Sequence, residues 1–473
     1  MSTGAPDQAS QENVPALSST PSRADWAYLG LSALAVVASA FKAPRFPNDD
    51  PALFEYFGWA MLHGRRLYTD LLDVKLPGIY LINAFWQLLF GGNYALHTAA
   101  EAAVTAATIV LFALLLRRRQ IPAWALGTFL FAVFFSLPFR EFDYAEHYAV
   151  FFIIIGLYLS ARGWNLWAGG ALALAATFWI PSVLTCIPIL LQPLARRERI
   201  ALLGGLLAML ACYLLAMLAT FGPQVITDLA RTWTERVGAI PKIRTSILEA
   251  PLGAAIGAQL LILLLVVRRP ASAASRFALI WAGCALLGTA PSFFENYFLP
   301  LTPALAMAIA SFGLSRENLV RRPIVALAVF VLIAVATQKA LALKTALDAL
   351  GSNYVTVGAW IRSSVGSGAT IYTEDYLPEV YLAARADMPD RSSLLIFSED
   401  RLTWSRTPRL LVFGPKDIPP YVRQPKPLFA QRHGLWFDPI CRGRTGVLAL
   451  YALRDNAGAF ECPGRGLMFG SRS

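Results

Sequence analysis

The residues best suited to chemistry lie in one polar stretch, 43–94, between two membrane-length apolar runs. Carboxylates serve as general bases, and a nearby cation stabilises charge that develops on a leaving group. A charged stretch of about 50 residues between apolar segments is long enough to indicate a functional role rather than a simple connection. Its five acids are Asp49, Asp50, Glu55, Asp70 and Asp73.

Two shorter polar stretches contain further candidates. Residues 140–148 include Arg140 and Glu146, and residues 292–297 end in Tyr297. The apolar runs themselves are nearly free of charge, whereas a proton- or ion-coupled transporter places ionisable residues near the middle of the membrane. The charge pattern therefore predicts chemistry at one membrane face.

The composition indicates a polytopic membrane protein. The chain has 473 residues, of which 56% are hydrophobic and only 15% charged. Soluble proteins carry about 25% charged residues. The net charge of +11 does not indicate nucleic-acid binding, because the arginines cluster at the ends of apolar runs. The candidate membrane helices are 26–42, 95–116, 122–139, 145–161, 200–221, 251–267, 274–290, 297–314 and 322–338.

The arginine clusters predict the topology, because cytoplasmic loops of membrane proteins are rich in Lys and Arg. All clusters fall inside if the N-terminus is cytoplasmic and 164–194 crosses twice, with a break at Pro181. This gives about eleven membrane helices and places the polar stretch 43–94 outside. Whether 164–194 is one helix or two stays open. The clusters begin at Arg117, Arg162, Arg196, Arg268 and Arg321.

Three regions follow from this topology. Residues 1–25 are polar and are predicted to form a disordered cytoplasmic tail. Residues 26–340 form the transmembrane domain, and 341–473 form a small extracytoplasmic α/β domain. Its predicted strands lie at 369–372, 393–397, 409–413 and 446–451, with a helix at 375–385. Cys441 and Cys462 lie in this region, and their pairing depends on whether it faces an oxidising compartment.

The order of motifs in the first polar stretch resembles that of polyprenyl-phosphate-sugar-dependent glycosyltransferases with the GT-C fold, in particular family 39 and the aminoarabinose-transferase-like bacterial members. The resemblance covers about residues 26–315. The chain departs from the family at Trp179, where many members carry Lys nearby, and at Asn296, where many carry His. The matching strings are Asp49-Asp50, Phe54 to Gly64, Tyr68-Thr69-Asp70, Asp73-Val74-Lys75-Leu76-Pro77, Glu146 and Asn296 to Pro303.

The resemblance implies sugar transfer from a polyprenyl-phosphate donor to a glycolipid, polysaccharide or protein at the outer side of a bacterial inner membrane. It assigns Asp50 as the first choice for the catalytic base, Asp49 as the second, and Glu146 as an orienting acid. The residues it assigns to substrate binding are Lys75, Asp73, Arg140, Tyr68 and Tyr297. No cofactor is certain from the resemblance. A divalent ion, which Asp49, Asp50 and Glu146 could hold, stays possible, and no metal ligand is assigned.

Each assignment has a structural alternative. Asp49 and Asp50 are also typical of a helix start, here a predicted helix at 51–62. Lys75 could be an interfacial side chain, Glu146 a helix-terminal acid, and Tyr297 an interfacial aromatic. Two other functions remain open, namely a lipid or solute transporter or flippase, and a non-catalytic scaffold related to the GT-C fold.

Overall fold

The computed structural model describes most of the chain between residues 20 and 453. The described residues are 20–47, 49–73, 75–137, 144–230, 253, 256–257, 259–260, 262–263, 272–289, 295–312, 354–373, 377–389, 408–413, 430–432, 435–439 and 449–453. Arg140, Cys441, Cys462 and the predicted strand at 393–397 lie outside them.

The described part is mainly helical. Helices are numbered in chain order as they are introduced here, and short 3-10 segments separate some of them. The helices are α1 (Arg23–Lys42), α2 (Asp49–Leu62), α3 (Gly78–Phe90), α4 (Tyr94–Arg118), α5 (Trp124–Ser136), α6 (Ala145–Ala161), α7 (Asn165–Ala176), α8 (Cys186–Leu190), α9 (Arg196–Phe221), α10 (Ala273–Thr289), α11 (Leu301–Ser311) and α12 (Pro378–Ala384).

Three of these helices, α1, α4 and α9, are long and apolar enough to cross a membrane. Several others, including α5, α6 and α10, are apolar but only 10 to 17 residues long. Among the described residues the structure therefore shows fewer membrane-length helices than the predicted number of about eleven. The predicted span at 322–338 lies outside the described residues, and the total number of crossings stays a prediction.

The segment 164–194 is interrupted, as its sequence predicts. Helix α7 ends at Ala176, and a 3-10 helix at Ile180–Thr185 leads into the five-residue α8. Pro181 lies in the first turn of the 3-10 helix, where a missing backbone N–H is tolerated. The break is thus present, but the second half is a short irregular helix rather than a second regular one.

Small residues bring α7 and α9 into close contact. A Cβ atom on Gly169 would lie 2.0 Å from the carbonyl oxygen of Leu202. A Cβ atom on Gly205 would lie 1.9 Å from the carbonyl oxygen of Leu166. Because only glycine fits at these two positions, the two backbones pack directly on each other, as in helix pairs within membranes.

The polar stretch 43–94 contains the two helices α2 and α3. Helix α2 is buried around most of its circumference, with Phe54, Tyr56 and Phe57 all 1% exposed or less. A Cβ atom on Gly58 would lie 2.6 Å from the backbone nitrogen of Ala84. Glycine at this position lets α3 lie directly against α2, so the stretch is a packed part of the fold.

Helix α3 has the reverse of the usual amphipathic pattern of a soluble protein. Its polar side chains Asn83 and Gln87 are buried against the protein. Its apolar side chains are exposed on the opposite face, at spacings of three and four residues that place them on one side of a helix. These exposed side chains are Leu81, Phe85, Leu88 and Leu89.

The C-terminal region contains a five-stranded mixed sheet in the order β1-β2-β5-β4-β3. Strands β1 and β2 are parallel, and the other neighbours are antiparallel. Three strands and α12 overlap predicted elements, whereas β3 and β4 are not among the predicted strands. The strands are β1 (Ile371–Thr373), β2 (Leu410–Phe413), β3 (Ala430–Arg432), β4 (Leu435–Pro439) and β5 (Ala449–Leu453).

Candidate active site

The predicted catalytic acids lie in the first turn of α2. Helix α2 begins at Asp49, so Asp49 and Asp50 both fall inside the helix, where carboxylates interact favourably with the helix dipole. The predicted helix at 51–62 therefore exists and starts two residues earlier. The side chain of Asp50 is 37% exposed, so this carboxylate is accessible from outside the protein.

Lys75 lies between two carboxylates contributed by different helices. Its Nζ atom is 3.8 Å from Oδ2 of Asp50 and 3.6 Å from Oε1 of Glu146. It also lies 4.9 Å from the centre of the Phe54 ring, a cation–π distance. The Lys75 side chain is 11% exposed and that of Glu146 is 1% exposed. The predicted base, phosphate ligand and orienting acid are thus brought together in one cluster.

The Nζ atom of Lys75 has close charges but no hydrogen-bond acceptor among the described residues. It is buried, and no acceptor within hydrogen-bond distance is found for it among the described residues. A buried ammonium group normally fills its three donor positions. The arrangement therefore leaves room for an additional anionic oxygen beside Lys75.

The surroundings keep Lys75 protonated. Burial alone would lower the pKa of its ammonium group, but the carboxylates of Glu146 and Asp50 oppose this, with further contributions from Tyr297 and Asp73. The net effect raises the pKa of Lys75 above the ordinary lysine value. Lys75 is therefore a fixed positive charge at neutral pH.

Two of the predicted substrate-binding residues hold the Lys75 loop. The buried Tyr68 donates a hydrogen bond from its hydroxyl to the backbone oxygen of Lys75 over 2.7 Å. The hydroxyl of Tyr80 donates to Oδ2 of Asp73, which is 8% exposed. At the end of the loop, a Cβ atom on Gly78 would lie 2.8 Å from the carbonyl oxygen of Thr177. The loop is therefore fixed at its start, middle and end.

Asn296 orients Glu146. In the sequence, Asn296 stood out only as a position where the chain departs from the family pattern. Glu146 lies in the first turn of α6. The amide Nδ2 of Asn296 donates to its Oε2 over 3.0 Å, which leaves Oε1 facing Lys75. Asn296 belongs to a 3-10 helix at Glu295–Phe298. The neighbouring Tyr297 is close enough to influence the pKa of Lys75, which places it beside the cluster.

The remaining predicted residues have different positions. The backbone nitrogen of Asp49 donates to Oε1 of Glu379 in α12 over 2.8 Å. No sequence signal pointed to Glu379, because it lies 330 residues away. Arg140 lies outside the described residues. Within the described part of the chain, no group of three His, Cys, Asp or Glu side chains is arranged to hold a metal ion.

Comparison with known proteins gives a structural match without a sequence match. No family model and no curated protein matches the chain. The crystal structure of ArnT from Cupriavidus metallidurans bound to undecaprenyl phosphate is similar, with a TM-score of 0.61 and 14% identity, covering 91% of this chain and 98% of that chain. The apo state of that ArnT gives a TM-score of 0.55 and 15% identity, covering 93% and 100%. The chain therefore has the fold of ArnT, a glycosyltransferase of the GT-C type.

Proposed function

We propose that the protein is an integral-membrane glycosyltransferase that transfers a sugar from a polyprenyl-phosphate donor to an envelope acceptor. The observation that carries the proposal is the buried Nζ atom of Lys75, which lies between Asp50 and Glu146 with no hydrogen-bond acceptor among the described residues. A phosphate oxygen of the donor supplies the missing acceptor. The ArnT structure bound to undecaprenyl phosphate supports a lipid phosphate as the ligand of this fold.

The reaction is a direct displacement at the anomeric carbon of the donor sugar. The acceptor oxygen or nitrogen forms the new bond, and the bond between the anomeric carbon and the phosphate oxygen breaks. The proton of the acceptor passes to the carboxylate of Asp50, which acts as general base. The lipid phosphate leaves as an anion, which Lys75 stabilises. A single displacement inverts the configuration at the anomeric carbon.

The exposure of the two carboxylates supports a division of roles. Asp50 is half-exposed, so an acceptor can reach it, whereas Glu146 is buried and hydrogen-bonded to Asn296. Glu146 therefore orients the Lys75 ammonium group rather than exchanging protons with the acceptor. Tyr68 and Asp73 support the loop around Lys75, and Tyr297 lines the cluster beside the phosphate.

The site lies at the outer face of a bacterial inner membrane in this proposal. The arginine clusters favour an external position for 43–94, and the exposed apolar face of α3 directly follows the Lys75 loop. A face of this kind contacts lipid, which holds Lys75 at the depth of lipid phosphates. The C-terminal region with its sheet lies on the same outer side. About eleven crossings complete this topology.

The proposal is tested with the purified full-length protein in lipid nanodiscs and undecaprenyl phosphate as the probe. Wild type binds it, and undecaprenol, which lacks the phosphate, does not compete. Lys75→Gln weakens binding by at least about tenfold, the size expected for losing a charge-assisted contact. Arg66→Gln is the matched control, because Arg66 is an exposed cation of the same loop and its loss leaves binding within about twofold.

Transfer is then measured as undecaprenyl phosphate released from synthetic undecaprenyl-phosphate hexose and pentose donors in the presence of envelope extract. Release by wild type and loss of release in Lys75→Gln support the proposed function. Equal binding of undecaprenyl phosphate and undecaprenol would contradict the role of the phosphate. Binding without release from any donor would favour the non-catalytic scaffold.

A further inference from the structure

We propose that Glu379 of α12 is a positioning residue that fixes the first turn of α2 and thereby the orientation of Asp50. The inference rests on the proposed function for its catalytic consequence. The contact behind it is a hydrogen bond between the C-terminal region and the backbone of Asp49. Three observations carry it, namely the conformation of Asp49, the burial of Glu379 and the fixed position of α12.

Asp49 has an unusual backbone conformation. Its φ angle is +53°, in the left-handed region that residues with a Cβ atom adopt infrequently. Aspartate tolerates this region better than most residues, but the conformation persists only where surrounding contacts hold it. It occurs here immediately before Asp50, so the direction in which the Asp50 side chain leaves the backbone depends on it.

Glu379 supplies a contact that holds this conformation. Its Oε1 accepts a hydrogen bond from the backbone nitrogen of Asp49 over 2.8 Å, and Glu379 is 4% exposed. The first N–H groups of a helix have no acceptor within the helix. A carboxylate forms a strong hydrogen bond with such a group and complements the positive end of the helix dipole. Glu379 therefore caps α2 from a distant part of the chain.

The segment that carries Glu379 is itself fixed against α2 and its neighbours. The hydroxyl of Tyr56 donates to the backbone oxygen of Ala386 over 2.9 Å, and Arg65 forms an ion pair with Asp387. Helix α12 packs against α2. A Cβ atom on Gly358 would lie 2.4 Å from the backbone of Ala383, so the segment 354–364 packs directly on α12. Glu379 is thus held on a rigid support.

Together these contacts make the C-terminal region part of the active site without placing any of its residues on the substrate. Loss of the Glu379 carboxylate lets Asp49 relax toward ordinary helical or extended angles. The Asp50 carboxylate then loses its fixed distance from Lys75. Binding of the lipid phosphate depends on Lys75 and is retained, whereas transfer depends on the position of Asp50 and declines.

The test compares Glu379→Ala, Glu379→Gln and the matched control Glu198→Ala in the full-length protein. The Glu198 carboxylate likewise accepts a hydrogen bond from a backbone nitrogen at a helix start, that of Ala195 over 2.8 Å, but it does so at α9. Amide hydrogen exchange of the peptide covering residues 44–56 is measured for all three. Glu379→Ala raises exchange in this peptide about tenfold or more. Glu379→Gln keeps an acceptor oxygen and stays within about threefold of wild type. Glu198→Ala also stays within about threefold, because the hydrogen bond that it removes lies at the start of α9.

Release of undecaprenyl phosphate and binding of undecaprenyl phosphate form the second readout. Glu379→Ala lowers release about tenfold or more and leaves binding within about twofold, because positioning affects turnover more than lipid affinity. Glu379→Gln recovers most of the release. Unchanged exchange in Glu379→Ala would overturn the proposal, whatever the activity. Raised exchange with no release by wild type would instead leave the contact established and reject the proposed function.

Discussion

Helix α2 carries two buried or half-buried acids a little more than one turn apart, and their surroundings differ. Glu55 is 3% exposed. Its carboxylate accepts a hydrogen bond from Nε2 of Gln87 over 2.6 Å and lies within hydrogen-bond distance, 2.9 Å, of Nδ1 of His97. Asp50 is 37% exposed and lies 3.8 Å from Lys75. Glu55 has short contacts to its neighbours, whereas Asp50 is accessible and lies beyond hydrogen-bond distance from Lys75.

The difference separates a stabilising cluster from the proposed active site. The Glu55 cluster joins α2, α3 and α4 through short contacts, and both ring nitrogens of His97 face acceptors, Glu55 and the backbone oxygen of Gly91. Such a pair must hold a proton between His97 and Glu55, because two acceptors cannot face each other unprotonated. The Asp50 cluster keeps a buried cation without a hydrogen-bond acceptor among the described residues. The Glu55 cluster therefore stabilises the fold, whereas the Lys75 cluster is the one that we propose to bind the lipid phosphate.

The largest effect on activity is expected at the accessible acid. Asp50→Asn keeps the size of the side chain and removes its capacity to accept a proton, so release of undecaprenyl phosphate falls about a hundredfold or more. Binding of undecaprenyl phosphate and the melting temperature change little. Steady-state release and binding in nanodiscs measure the two effects separately. Undiminished release would eliminate Asp50 as the base and transfer that role to Asp49.

The opposite pattern is expected at the buried acid. Glu55→Ala leaves His97 and Gln87 buried without their partner and destabilises the fold by about 3 kcal/mol, the range for breaking a buried pair. Thermal unfolding of the protein in detergent measures this loss. At a temperature where the variant remains folded, its release of undecaprenyl phosphate stays within about threefold of wild type. A stable Glu55→Ala protein without activity would show that the two clusters have been assigned the wrong way round.

The resemblance to the GT-C family assigned Asp50, Lys75 and Glu146 to one site. The structure brings the three side chains together although Glu146 lies outside the stretch 43–94. The contact of Glu379 with Asp49 was not predictable in this way. It depends on how α12 packs on α2 across 330 residues, and no local pattern encodes that packing. The resemblance also assigned Tyr68 to substrate binding. Its hydroxyl contacts the Lys75 backbone, and its contact with substrate stays a prediction.

The apolar runs predicted most of the long helices, whereas α3 was not among the predicted helices. Helix α6 has the predicted bounds, 145–161, because its apolar run starts directly after a polar stretch and ends at Arg162. The strands β3 and β4 were missed, since each is short and lacks a run of β-branched residues. The fold was thus more accessible to sequence reasoning than the long-range contacts that complete the site.

A smaller effect is expected from the residue that orients Glu146. Asn296→Asp removes the donor and places a second carboxylate against Glu146, which lowers release about tenfold near neutral pH. A proton shared between the two facing carboxylates restores the contact, so activity relative to wild type rises as the pH is lowered. Asn296→Ala cannot regain a donor and shows no such rise. Parallel pH profiles for wild type and Asn296→Asp would refute the orienting contact.

The smallest effect is expected from alkaline pH on lipid binding. Because the pKa of Lys75 is raised, its ammonium group stays charged to a pH above the ordinary lysine value. The stability that this charge contributes is fully present below the ordinary lysine value and is lost as the pH rises through the raised pKa. A phosphate monoester is already doubly ionised above about pH 7. The dissociation constant for undecaprenyl phosphate therefore stays within about twofold between about pH 7.5 and 9.5. A tenfold weakening over this interval would mean that Lys75 loses its proton there, and that the carboxylates of Asp50 and Glu146 do not hold its charge.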